Sequence, residues 1–313
     1  MQAMHSSRKW LLAAVLAAAL PSTGCLFRSH RVEQPVLPAV LQSATRDELV
    51  ARVNAQAAQI HTLNATVNIA TSVGGVKKGK VTEYAEIRGY VLVRQPAAIR
   101  LIGLFPLVRN TAFDMVSDGD TYRLWLPSKN TFYTGHNAII RPSKQPLEAI
   151  RPQHILNALL LHAIDPASEI AVLEDTTETA TDPRSHKPVE VPDYTLLVLQ
   201  RNGDAGWYLA RKLVFSRADL FVHRQIIYDK LGKVTTDASY DDFHPYNGTV
   251  FPASITIRRP GEEYTLTISM VKLLLNQPLQ DEQFALKQPD GARLIDLDQP
   301  PQNAAQPASP PAK

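Results

Sequence analysis

The 313-residue chain holds a single cysteine, Cys25. One thiol excludes a disulfide framework and any cysteine-rich zinc site. Aromatic residues are few, at 7%, and the 14 glycines are outnumbered by 23 prolines, which crowd toward the two ends. Charge of one sign is also lacking. The 33 basic residues face 30 acidic ones, and setting aside Arg8 and Lys9, in a removable N-terminal segment, leaves 31 against 30. A near-neutral chain gives no electrostatic reason to expect a nucleic-acid partner. The apolar run from Trp10 to Leu20 is eleven residues, too short to span a bilayer. The sequence contains no nucleophile elbow, P-loop or dinucleotide fingerprint. His154 and His162 lie eight apart with no ligand at i+4, so no metal site is expected. Asp241, Asp242 and His244 read as a solvated strand end before Pro245, and no catalytic residue or cofactor is expected.

What remains is 44% hydrophobic and 20% charged, enough to bury a core. Arg8-Lys9, the apolar run and then Pro21-Ser-Thr-Gly-Cys25 read as a signal peptide over 1–24. The small residues before Cys25 resemble the bacterial lipobox, although Ser22 stands where that pattern prefers Leu. The resemblance implies cleavage before Cys25 and a diacylglycerol anchor on its thiol. Leu26, not Asp, follows Cys25, which by resemblance to enterobacterial sorting favours the outer membrane, facing the periplasm. Residues 25–44 read as a lipid-anchored tether, and 298–313 as a disordered Pro-rich tail. Between them, 45–297 reads as one globular unit.

Thr45-Arg-Asp-Glu48 is a capping box, and Leu49, Val50, Val53, Ala57 and Ile60 follow at near-helical spacing, so 45–61 is predicted helical. A second helix is predicted over 152–163. Strands are predicted at 62–73, 81–94, 98–104, 110–117, 120–127, 130–135, 169–174, 193–201, 207–216, 220–230, 233–243, 249–258 and 263–275. Asp118-Gly119, Asn202-Gly203 and Leu231-Gly232 mark turns, and the polar stretch 175–192, with three prolines, reads as a mobile loop. The fold class is mainly β with two helices (α+β). So many antiparallel strands joined by short turns must curl into a barrel or part of one, and the inner face then needs filling.

Four stretches resemble the LolA/LolB superfamily of periplasmic lipoprotein carriers and receptors. A helix leads into Leu63-Asn-Ala-Thr-Val-Asn-Ile69. Gly89-Tyr-Val-Leu-Val-Arg-Gln-Pro96 precedes Ile99-Arg-Leu101. Ser117-Asp-Gly-Asp120 precedes Leu124-Trp-Leu-Pro127. Phe284-Ala-Leu-Lys-Gln-Pro-Asp-Gly-Ala292 precedes Leu294-Ile295. The resemblance spans about 63 to 297. It implies an unclosed β-barrel with helices lidding an apolar cavity that shelters acyl chains of lipoproteins or lipids, without catalysis or cofactor. Cys25 places the chain nearer the lipoprotein LolB in type, which implies membrane attachment through the anchor and delivery by a soluble periplasmic carrier. The alternative is a structural or regulatory outer-membrane lipoprotein with a filled core that binds a protein partner.

Strand alternation nominates cavity-facing sets: Phe113 and Met115; Tyr122, Leu124 and Leu126; Ile226 and Tyr228; Leu266, Ile268 and Met270. Ile155, Leu159 and Leu160 of the second helix would cover them; an open apolar pocket beneath that helix would support carriage, and bulky side chains closing it the filled-core alternative. Leu104-Phe-Pro-Leu107 is apolar where a turn between strands is normally polar. Its position matches the protruding loop of LolB-like proteins, which implies membrane contact through Leu104, Phe105 and Leu107.

Overall fold

The structure, a computed structural model, describes residues 41–77, 79–138, 150–181, 186 and 188–299. The leader, Cys25, most of the tether and the tail from 300 lie outside these described residues. The first helix, α1 (Arg46–Gln59), begins where its capping box predicts: Thr45 accepts the Glu48 N–H through its hydroxyl, and the Glu48 carboxylate accepts the Thr45 N–H at 2.7 Å. Its buried residues are Leu49 and Val53.

Strands follow as β1 (Thr62–Gly75), β2 (Lys80–Arg94), β3 (Ala98–Leu104), β4 (Thr111–Ser117), β5 (Thr121–Leu126) and β6 (Thr131–His136). The short helix α2 (Pro152–Leu159) comes next. After it come β7 (Glu169–Thr181), β8 (Pro188–Arg201), β9 (Trp207–Ser216), β10 (Val222–Tyr228), β11 (Val234–Tyr246), β12 (Thr249–Arg259), β13 (Tyr264–Leu275) and β14 (Arg293–Asp296). All fourteen form one curved, unclosed sheet in the order β14-β6-β5-β4-β3-β2-β1-β13-β12-β11-β10-β9-β8-β7. From β6 through β1 and β13 to β8 the neighbours pair antiparallel, whereas β14 lies parallel to β6. The described residues of 38–178 and 192–313 make one compact unit; the remaining described residues are ends of β7 and β8 and His186 between them.

Three readings of the sequence need correction. The stretch 175–192 is mostly strand, because β7 runs to Thr181 and β8 starts at Pro188. The second helix stops at Leu159 rather than 163, with Leu160 already extended. Beyond it the backbone is satisfied by side chains instead of helical bonds. Arg211 donates to the carbonyls of His162 (2.7 Å) and Ala163 (3.0 Å), while Asn54 accepts the Ile164 N–H and donates to its carbonyl. Lastly, β14 has no counterpart among the predicted strands.

One face of the sheet and both helices share the main core, with Leu63, Val67, Val91, Leu101, Leu124, Leu196, Leu213, Ile255 and Ile268 at most 2% exposed. Alternation along each strand puts the intervening residues outside. The outer face of β4–β6 is covered in turn by the segment after β13. Arg100 pairs with Asp114 through two bonds (3.0 and 2.7 Å) and donates to the Gln283 carbonyl, and Val116 and Phe132 pack on Leu286 and Ala292.

α2 stands inside the curve, touching β3 and β4 on one side and β11 and β12 on the other. The far wall holds it and its exit by hydrogen bonds. Gln225 donates to the Asn157 carbonyl (2.9 Å) and Tyr240 to the Ala158 carbonyl (2.7 Å). Arg211, buried, also pairs with the part-buried Glu169 at 3.1 Å. Removing one member of such a pair strands a buried charge. Arg211→Met should therefore lower stability by about 3–5 kcal/mol in urea unfolding. Adding Glu169→Leu should restore part of that loss; equal stability of Arg211→Met and the parent would contradict this account of α2.

Candidate functional site

A cavity of about 500 Å³ opens on the inner face of the sheet. Its cause is a mismatch of strand lengths. β3 pairs with β2 only over Ala98–Leu104 against Arg88–Arg94, so the outer half of the long β1–β2 hairpin overhangs. Ile69, Thr71 and Val73 of β1 line one side. Opposite them, a bulge in β2 changes the pairing from Ile69↔Ile87 to Thr71↔Tyr84, so that Tyr84, Ala85 and Ile87 all reach the cavity. Ala112 and Phe113 of β4, Leu126 of β5, Phe105 and Pro106, and Ile150 before α2 complete an almost wholly apolar lining; Thr71, Ser128 and Lys129 are its polar members. Gly103 is required beneath it, since a Cβ there would overlap the Phe113 ring.

The structure places the sequence-predicted residues in three groups. Phe113 and Leu126 line the cavity, and so does Phe105 of the predicted loop. Met115, Tyr122, Leu124, Ile155, Leu159, Leu160, Leu266 and Ile268 are buried in the packed core, with Met270 half-buried against it. The sets 122–126 and 266–270 thus face the same side. Ile226 and Tyr228 do not join them. β10 is bulged at His223, between Val222↔Phe215 and Arg224↔Val214, and the residue it turns inward is the polar Gln225, 1% exposed. Beneath α2, Ile155, Leu156 and Leu159 are packed in the core, and the space between its exit and α1, beside Ile60, Leu160 and Phe251, leaves no room for a water molecule. Bulky side chains thus close the space under this helix, and the open space lies past its N-terminal end. Leu104 is half-buried at the end of β3, whereas Leu107 is fully exposed and Val108 is 67% exposed. The loop is a tight turn closed by Phe105 N–H to the Asn110 carbonyl, and it projects rather than folding back on α1. Sequence reasoning missed Ile69, Thr71, Val73 and the β2 residues. The signal was present in strand length, since 62–73 and 81–94 are far longer than 98–104.

Polar chemistry on the inner face gathers at α2. The Arg151 guanidinium lies 4.6 Å from the Tyr122 ring centroid, and Arg259 donates to Thr236 (2.6 Å) and pairs with Glu262 (2.7 Å). Burial, with Arg259 and Arg151 nearby, pushes the His154 pKa down to about 3. Burial also raises the Tyr240 and Tyr264 hydroxyls above their ordinary range. A histidine held neutral and tyrosines held protonated are poor proton-transfer groups near neutral pH. No group of three or more metal-ligating side chains exists among the described residues, and no described helix is long and apolar enough to cross a membrane.

No protein-family model matches the chain, and no curated protein does. Solved structures do. A DUF1329 family protein from Desulfovibrio piger aligns with TM-score 0.48 and 14% identity over 76% of this chain and 94% of its own. A LolA superfamily protein from Nitrosomonas europaea aligns with TM-score 0.46 and 12% identity, covering 78% and 99%. A Vibrio parahaemolyticus domain named for outer membrane lipoprotein sorting aligns with TM-score 0.45 and 10% identity, covering 76% and 94%. Likenesses this distant carry no argument about function, which has to come from the cavity itself.

The state of His154 has a measurable consequence. Its folded pKa lies below the unfolded value, so the stability it contributes is fully present above about pH 6.5 and is lost as pH falls from there toward 3. His136 runs the other way, its pKa raised by the Asp298 carboxylate at 2.6 Å. The unfolding midpoint should fall between about pH 6.5 and pH 5, before most carboxylates titrate, and His154→Gln should flatten that fall. An unchanged pH dependence in His154→Gln would contradict the neutral buried histidine.

Proposed function

We propose that the chain is a non-enzymatic carrier or receptor for acylated cargo, lipoproteins or lipids, in the cell envelope. It is held to the outer membrane through Cys25, receives cargo from a soluble periplasmic carrier and shelters an acyl chain in the cavity between β1, β2 and β4. The observation that carries this reading is the cavity: about 500 Å³, apolar, and rimmed by the part-exposed Tyr84 and Phe105. Binding sites for small molecules have volumes of about 300–1,000 Å³ and similar linings. At roughly 30 Å³ for each water-sized group, the space suits on the order of one acyl chain. A fully buried 16-carbon chain is worth on the order of 12 kcal/mol, at ~0.8 kcal/mol per methylene. Such binding needs no covalent step. In this reading Phe105, Phe113 and Leu126 touch cargo, whereas Leu107 and its neighbours in the projecting loop face the bilayer.

A second reading, a structural or regulatory lipoprotein that binds a protein partner, is favoured by one observation only, the close packing of Ile155, Leu156 and Leu159 beneath α2. The two part on cargo. Protein purified from the envelope without denaturation should release acyl lipid on organic extraction, seen by mass spectrometry. Ala112→Trp, which fills the cavity from β4, should cut the bound lipid by more than an order of magnitude while the unfolding temperature holds or rises. Lipid-free protein, or lipid unaffected by Ala112→Trp, would remove the carrier reading.

A further inference from the structure

Antiparallel pairing sends the connections of the sheet alternately to its two ends, and the two ends differ in chemistry. At one lie the turns β1–β2, β3–β4, β5–β6, β8–β9, β10–β11 and β12–β13, as the registers Leu104↔Arg88, Tyr228↔Val234, Arg201↔Trp207 and Arg259↔Tyr264 require. Three large apolar side chains are more than nine-tenths exposed: Val76 (98%), Leu107 (100%) and Leu231 (93%). Each stands at the tip of a different hairpin, and all three hairpins belong to this end. Among the described residues, the turns at the opposite end, 95–97, Asp118-Gly-Asp120, 217–221 and Asn247-Gly248, carry no exposed large apolar side chain.

Apolar residues at turn tips lose to water, and one of these also holds a costly backbone. Leu107 has φ +70°, a left-handed conformation disfavoured for a side chain of its size. Such a residue can be retained where it gains by leaving water.

The charge around the tips has one net sign. Lys77 and Lys80 follow Val76, Arg109 follows Leu107 and Val108, and Lys230 and Lys233 bracket Leu231. The acidic groups there are fewer, and most are held by neighbouring groups; Glu83, three residues past Lys80, is exposed. Asp229 accepts the N–H groups of Leu231 and Lys233, Glu262 pairs with Arg259, and Glu263 accepts the Lys77 N–H; Asp204 is the exposed carboxylate of the β8–β9 turn. Apolar points surrounded by lysine and arginine complement a surface with anionic headgroups over hydrocarbon.

We propose that this hairpin end is a docking face for an anionic lipid bilayer, with Val76, Leu107 and Leu231 as three separate insertion points. In sheet order the β10–β11 hairpin is separated from β1–β2 by β12 and β13, so the three points define a plane rather than a line. Docked on that plane, the domain turns the cavity rim at Phe105 toward the bilayer. The inference rests on the carrier reading for the role of Leu107, but Val76, Leu231 and their lysines belong to it alone, so either can fail without the other.

The test uses the full-length acylated protein reconstituted in vesicles, where the anchor holds every variant at the membrane and only orientation is read. Single cysteines, Val76→Cys, Leu231→Cys and the opposite-end control Asn247→Cys, carry an environment-sensitive fluorophore. Vesicles are phosphatidylcholine alone or equal parts phosphatidylcholine and phosphatidylglycerol. Docking predicts a blue shift at positions 76 and 231 on the mixed vesicles, reversed by salt, and none at 247. Lys230→Ala and Lys233→Ala should each lower the docked-to-free ratio, read from the label at 76, by about fivefold. No shift at 231, a shift equal on both vesicle types, or an equal shift at 247 would overturn the proposal. Lipid recovered by extraction from the same variants reports on the carrier reading separately.

Discussion

A sheet of fourteen strands that curls has an inner face longer than its own side chains can cover, and something must stand inside the curve. Here that is α2, only eight residues long, bridging β3–β4 and β11–β12. It is held less by its own helical bonds than by Gln225, Tyr240 and Arg211, which reach from the far wall to the carbonyls of Asn157, Ala158, His162 and Ala163. Breaking these bonds would expose buried polar atoms on both partners. The helix therefore behaves as a fixed plug, and a plug this short fills only part of the curve. The unfilled part lies where the β1–β2 hairpin outruns β3, and the cavity is there.

This division separates two kinds of chemistry on one surface. The half around α2 is closely packed and locked by buried polar groups, with a histidine kept neutral by burial and two nearby arginines. The other half is apolar and has open space. Burial of hydrocarbon alone makes binding strong, and the difficulty for such a site is release. In the proposed carrier role, a cavity whose rim borders exposed apolar turns sets the exit beside an environment that takes an acyl chain as readily as protein does.

The sheet was largely legible in the sequence because its signals are local. Runs of Val, Ile and Thr end at Asp118-Gly119, Pro96 or Leu231-Gly232, and the capping box at Thr45 marks the helix start. What sequence reasoning missed is decided over long range. β14 has four residues and gains its strand geometry from pairing with β6, more than 150 positions earlier. The end of α2 depends on Asn54 and Arg211. The facing of Ile226 and Tyr228 was misjudged because one bulged residue, His223, shifts the phase and a polar Gln225 occupies the core. The cavity was sought under a helix, whereas its position follows from how far neighbouring strands overlap.

The central claim is that an acyl chain lies between β1, β2 and β4 and not beneath α2. Spin-labelled stearate, added to protein with its alanine, isoleucine and leucine methyl groups isotopically labelled, tests this by paramagnetic broadening in nuclear magnetic resonance spectra. The account predicts selective loss of the Ile69, Ala85, Ile87 and Ala112 signals while Ala158, Leu159 and Leu160 persist. Broadening centred on Ala158 to Leu160, or no selective broadening at all, would contradict it.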